Sequence, residues 1–140
     1  VLVDSVQKKM AIVGSVLSEL GIAEQISTYG GRIEYLAHEC PCVFTALTAR
    51  ALSKLSVLME LASPLLVNGG LLICYKANVQ EEEWEHALSL QEKLGMRLYS
   101  DRTLTLSDGE TSRRIITFEK TGRPKLKLPR HVGFAQKKPL

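Results

Sequence analysis

Asp4 ends a short apolar run, Val1-Leu2-Val3, and a helical periodicity starts directly behind it. In open α/β nucleotide folds an acid at the end of an early strand accepts hydrogen bonds from ribose hydroxyls. The same carboxylate could serve only to cap the helix that follows. Gly31-Arg32-Ile33-Glu34 follows the second apolar segment, where backbone and an acidic side chain of such a fold reach the edge of a nucleobase, although Glu34 reads equally well as a surface acid. Arg50 stands at the end of the third apolar segment, on the sheet edge where open α/β folds bind ligands. Its guanidinium suits ligand oxygens or phosphate, or a surface ion pair. Lys76 ends the next segment on the same edge and is a candidate for RNA phosphate or for orienting a target base, against plain solvation.

Other chemistries lack their residues. No Ser/His/Asp set and no pair of carboxylates suggests acid–base or nucleophilic catalysis. Cys40-Pro41-Cys42 is a C-x-C, Cys74 stands alone, and His38, His86 and His131 have no metal-ligand spacing with them, so reduced thiols and no metal are expected.

The elements that must hold these residues follow from periodicity. Val6, Met10, Val13, Leu17 and Leu20 form one helical face, which Gly21 ends. Ile26 to Tyr29 and Val43 to Leu47 are short enough to be buried parallel strands joined by a short link. Ser53 offers a cap for a helix carrying Leu55, Leu58, Met59, Ala62 and Leu65, with Pro64 kinking or ending it. Asn68-Gly69-Gly70 reads as a stop before a strand from Leu71 to Tyr75. Glu81-Glu82-Glu83 opens a helix, where its dipole favours negative charge, and Gly95 closes it. Leu98 to Leu106 and Arg114 to Glu119, separated by Ser107-Asp108-Gly109, predict an antiparallel hairpin. Alternating strands and helices closed by a hairpin predict an α/β, mostly parallel, Rossmann-like sheet.

With 45% hydrophobic and 24% charged residues, the composition is that of a globular protein. No apolar run reaches the roughly 18 residues of a membrane span, and the first residues do not resemble a signal peptide. A cytoplasmic protein without membrane contact is expected. Charge is unevenly spread: residues 120–140 carry seven Lys or Arg and no acid, while 1–119 carry eleven basic and fifteen acidic residues. This divides the chain into a domain, 1–119, and a basic tail, 120–140, that either meets phosphate or is merely solvated.

No glycine-rich turn precedes Asp4, and neither Gly30-Gly31 nor Gly69-Gly70 opens a helix as a G-x-G-x-x-G turn does. The first strand of the fold and its glycine-rich loop are therefore expected to be lacking from these residues. Because that strand is central, its lack would expose two unpaired edges and an apolar slot. Upstream residues, or a second copy in a homodimer, would fill it.

The segments VLVDSVQKKM, GGRIEYL, TARALSKLSVLMELASPLLVNGGLLICYKA with its following EEE, and RRIITFEKTGRPKLKLPRHVGFAQKKPL together cover almost the whole chain. In combination they resemble the GidB/RsmG family of 16S ribosomal RNA guanine-N7 methyltransferases. The resemblance implies a class I S-adenosyl-L-methionine-dependent methyltransferase fold and methylation of guanine N7 in the decoding-centre loop of 16S rRNA, with the small ribosomal subunit as partner. It implies that Asp4 meets the cofactor ribose, that Ile33 and Glu34 lie against the adenine, and that Arg50 is the family's cofactor-site arginine. Lys76 matches a lysine that usually precedes glycine, where Ala77 stands here. RNA contact falls to Lys76 and to the tail residues Arg123, Lys125, Lys127, Arg130, Lys137 and Lys138. The remaining alternatives are a non-catalytic RNA-binding fragment and a Rossmann methyltransferase with another substrate.

Overall fold

The computed structural model describes all 140 residues. Its strands are β1 (Leu2–Asp4), β2 (Thr28–Gly30), β3 (Phe44–Arg50), β4 (Leu66–Lys76), β5 (Met96–Thr105) and β6 (Ser112–Lys120). Between and after them lie α1 (Gln7–Glu19), α2 (Ile33–Glu39), α3 (Leu55–Ala62), α4 (Glu81–Ser89), α5 (Gln91–Leu94) and α6 (Phe134–Lys137). The expected alternation and closing hairpin are present. β1 and β2 pair in parallel as one sheet, and β3, β4, β6 and β5 form a second in that order, with β3–β4 parallel and the other pairings antiparallel.

The two sheets share no backbone ladder, so β1 and β3 each keep an edge without a strand partner. A cavity of about 610 Å³ lies between them, lined by Val1 to Val6 on one side and by Phe44 and Ala46 to Thr48 on the other. This is the apolar slot expected from the sequence. It also explains why Val1, Leu2 and Val3, a strand by composition, stay exposed.

The core lies in the larger sheet. Leu55 and Met59 of α3, Leu66 and Cys74 of β4, Leu94 of α5, Met96 of β5, and Ile116 and Phe118 of β6 are almost completely buried and form one cluster. In α1 only Leu17 is buried. That element's apolar face thus has little to pack against, and the β1–α1–β2 unit adds little to the core.

Three local expectations are corrected. The short link after β2 is the helix α2, whose Leu36 and Ala37 pack with Leu65 in a second small cluster. Asn68-Gly69-Gly70 does not precede a strand but lies inside β4, where the register with β3 slips between Phe44 and Ala46. Gly69 has φ +81°, and a Cβ on Gly70 would stand 2.9 Å from the Val67 carbonyl oxygen, so both glycines let the strand bulge and continue. Ser53 does not cap α3. The Leu55 amide instead donates to Glu83 Oε1 at 2.8 Å, so a carboxylate from α4 covers that helix start.

Candidate functional site

β1, β2, β3 and β4 finish at Asp4, Gly30, Arg50 and Lys76, which form the carboxyl edge where open α/β sheets bind ligands. Asp4 Oδ1 accepts a 2.8 Å hydrogen bond from the Val6 amide, and Oδ2 has only Lys9 Nζ at 3.4 Å. The Gly31 amide donates to the Asp4 carbonyl at 3.1 Å and ties the two strand ends together. The Val6 amide holds the Asp4 carboxyl below its usual range, with Lys9 assisting against the opposing effect of desolvation. It is therefore an anion at neutral pH, with one oxygen fixed and the other nearly free. Asp4, Gly31, Arg32 and Ile33 all line the slot between the sheets, so the fold brings Asp4 and Ile33 to one cavity.

Glu34 faces away from that slot. It is 3% exposed, and its Oε1 accepts from the Gly133 amide at 2.7 Å and from Arg32 Nη2 at 3.1 Å. Burial alone would raise its pKa. The Gly133 and Glu34 backbone amides and Arg32 outweigh that and hold it below the usual carboxylate range. Oε2 is buried with no hydrogen-bond partner, and so is Nε of Arg32. Glu34 thus fastens the 120–140 segment to α2 and keeps one acceptor open. Arg50 is exposed at the end of β3 and has no carboxylate within 4.0 Å.

The cations expected to meet RNA divide into two groups. Lys76 pairs with Glu83 at 2.7 Å and donates to the Ser53 carbonyl at 3.0 Å. Arg130 grips Glu60 through two 2.7 Å hydrogen bonds and donates to the Lys138 carbonyl at 2.9 Å. Lys125 is paired with Glu92. Arg123, Lys127, Lys137 and Lys138 have no carboxylate partner, and the Lys138 ammonium lies 5.2 Å from the Phe134 ring. Lys127 shares a cavity of about 640 Å³ with Tyr35, His131 and Phe134, which places cation and aromatic rings together. The 120–140 segment does not hang free of residues 1–119, because Leu126, Leu128 and Leu140 pack on the main core.

Lys120 was not among the sequence candidates. It is the last residue of β6 and 3% exposed. Strand alternation gives the signal that finds it, since Ile116, Phe118 and Lys120 share the inward face.

A family sequence model described as GidB, rRNA small subunit methyltransferase G, matches residues 1–111. A ribosomal RNA small subunit methyltransferase G of Limosilactobacillus reuteri is 33% identical over 99% of the chain, and one of Thermotoga petrophila is 34% identical over all of it. The chain spans 58% and 60% of the length of these two relatives. Among solved structures, the antibiotic-resistance methyltransferase Kmr superposes with a TM-score of 0.64 at 16% identity, covering 86% of this chain and 74% of its own. At that identity the likeness concerns the fold, which is the methyltransferase version of the Rossmann sheet. With the family model matching most of the chain and relatives aligned along its whole length, the chain belongs to the GidB family of rRNA small subunit methyltransferases G.

Proposed function

We propose that the complete protein transfers a methyl group from S-adenosyl-L-methionine to guanine N7 in the decoding-centre loop of 16S rRNA, in the cytoplasm. The observation that carries this reading is the Asp4 carboxylate at the slot, ionised, with Oδ1 fixed by the helix start and Oδ2 open to hydroxyl donors. Glu34 does not line this slot and would instead anchor residues 120–140 through the Gly133 amide. Asp4 would hold the ribose, Ile33 would pack on the adenine, and Arg50 would serve the cofactor site from the end of β3. A strand from outside residues 1–140, bringing a glycine-rich loop, would fill the slot.

S-adenosyl-L-methionine supplies a methyl group already activated on a sulfonium. Guanine N7 offers a lone pair and no proton, so the chain would need no general base. Holding both reactants in line can supply roughly 7 to 11 kcal/mol by analogy with intramolecular reactions. RNA phosphates would be met by Lys127, Lys137 and Lys138, whose charges are uncommitted, with Tyr35 and Phe134 beside them for stacking. Lys76, Lys125 and Arg130 already have anionic partners and would add less.

Titration calorimetry of the complete protein with S-adenosylmethionine tests the cofactor part. Asn retains an acceptor for the Val6 amide, so Asp4→Asn keeps the local turn that leads into α1. Loss of a charged hydrogen bond, about 1.5–3 kcal/mol, should weaken binding roughly ten- to a hundredfold. Unchanged affinity in the variant would remove Asp4 from the site.

A further inference from the structure

A second cavity, of about 470 Å³, opens at the opposite edge of the sheet, near the amino ends of β3 and β4 and the carboxyl end of α2. None of its lining residues is acidic, while Lys120, Arg123 and His38 all border it. Lys120 Nζ donates to Ser63 Oγ at 2.6 Å and lies 3.4 Å from the Leu94 carbonyl oxygen. No carboxylate comes within 4.0 Å of it or of Arg123. A lysine only 3% exposed whose ammonium has only neutral acceptors is an unbalanced charge in a fold that pairs its other buried ions, Glu60 and Glu34. Burial pushes the Lys120 pKa below the usual lysine range, opposed only by the Cys42 thiol.

The geometry points to a phosphate-ester site, in which the Lys120 ammonium and the Arg123 guanidinium hold phosphate oxygens and the wall of Pro41, Pro64, Leu128 and Pro129 takes the attached organic group. A phosphate suits this pair better than a carboxylate does. It carries up to two negative charges and three terminal oxygens, enough for a point charge on one side and a planar fork on the other. The cavity volume lies within the roughly 300 to 1,000 Å³ of small-molecule sites. The Ser63 hydroxyl and the Asn68 amide add polar groups along the same wall. The site is separate from the carboxyl edge that carries Asp4 and Arg50, and it does not depend on the methyl-transfer reading.

Nitrogen-15 NMR of the full-length protein tests it, with inorganic phosphate, ribose 5-phosphate or a short single-stranded RNA added at constant ionic strength. Phosphate should shift the amide signals of Lys120, Gly122 and Arg123 saturably. Arg123→Gln, an exposed position without an ion-pair partner, should weaken that binding about tenfold, the loss expected for one charged hydrogen bond. Lys120→Met, which exchanges the buried ion for an apolar chain of similar length, should abolish it while the melting curve stays cooperative. Displacement by RNA would identify a nucleic-acid phosphate as the ligand, and shifts by ribose 5-phosphate without RNA competition would identify a free phosphate ester. No saturable shift, or equal affinity in wild type and Arg123→Gln, overturns the site.

Discussion

Replacing Arg130 with methionine should unfold the protein far more easily than the loss of a surface cation would. Arg130 Nε and Nη2 each reach an oxygen of Glu60 at 2.7 Å, and the Glu60 side chain is only 4% exposed. The substitution leaves that carboxylate buried and uncompensated, a change that costs about 3–5 kcal/mol. Against a total stability on the order of 5–15 kcal/mol, this is a large fraction. An exposed pair, by contrast, contributes about 0–1 kcal/mol. Urea unfolding followed by circular dichroism at neutral pH would measure it, with the midpoint falling and the slope unchanged. The double variant Glu60→Met/Arg130→Met removes both ions, so it should recover most of the loss. A drop of less than about 1 kcal/mol in the single variant, or a double variant worse than either single one, would refute the argument.

Two smaller expectations follow from the titrating groups. Glu34 has a folded pKa below its reference value of 4.5, so its contribution is complete above pH 4.5 and is lost as pH falls through the folded value. Glu34→Gln should therefore lose stability less steeply than wild type below pH 4.5 in acid unfolding, and parallel curves would contradict the Gly133 and Arg32 contacts. Cys74 is buried and its thiol is pushed up to about 12, while Cys42 is exposed. Mass spectrometry after brief alkylation at pH 8 should find Cys42 labelled and Cys74 protected until the protein unfolds; early labelling of Cys74 would place it outside the core.

Much of the fold is legible because periodicity is local. The spacing Val6, Met10, Val13, Leu17 marks α1, and Ser107-Asp108-Gly109 marks the hairpin turn, where Asp108 Oδ1 accepts from the amides of Glu110 and Thr111. The slot was legible as topology, from an aspartate with no glycine-rich turn ahead of it. Helix α2 was hidden because its seven residues make only about two turns, too few to display a period. Gly69-Gly70 misled because the same pair that stops a strand can also bulge one.

The site is legible only in part. Asp4 and Ile33 meet at one cavity because strand ends in this fold share an edge. Glu34 and Arg130 took structural partners that sequence spacing cannot show, since Gly133 lies 99 residues from Glu34 and Glu60 lies 70 residues from Arg130. Among the tail cations, Arg130 is paired with the buried Glu60 and Lys125 with the exposed Glu92, partners that tail composition alone does not reveal.

The central claim is methyl transfer to small-subunit rRNA. The complete protein, incubated with labelled S-adenosylmethionine and unmodified small ribosomal subunits or their naked RNA, should place label on guanine N7 of 16S rRNA, and Asp4→Asn should lower the rate at limiting cofactor. Absence of label on both substrates, under conditions where the protein binds RNA, would contradict the account and leave a non-catalytic RNA-binding protein.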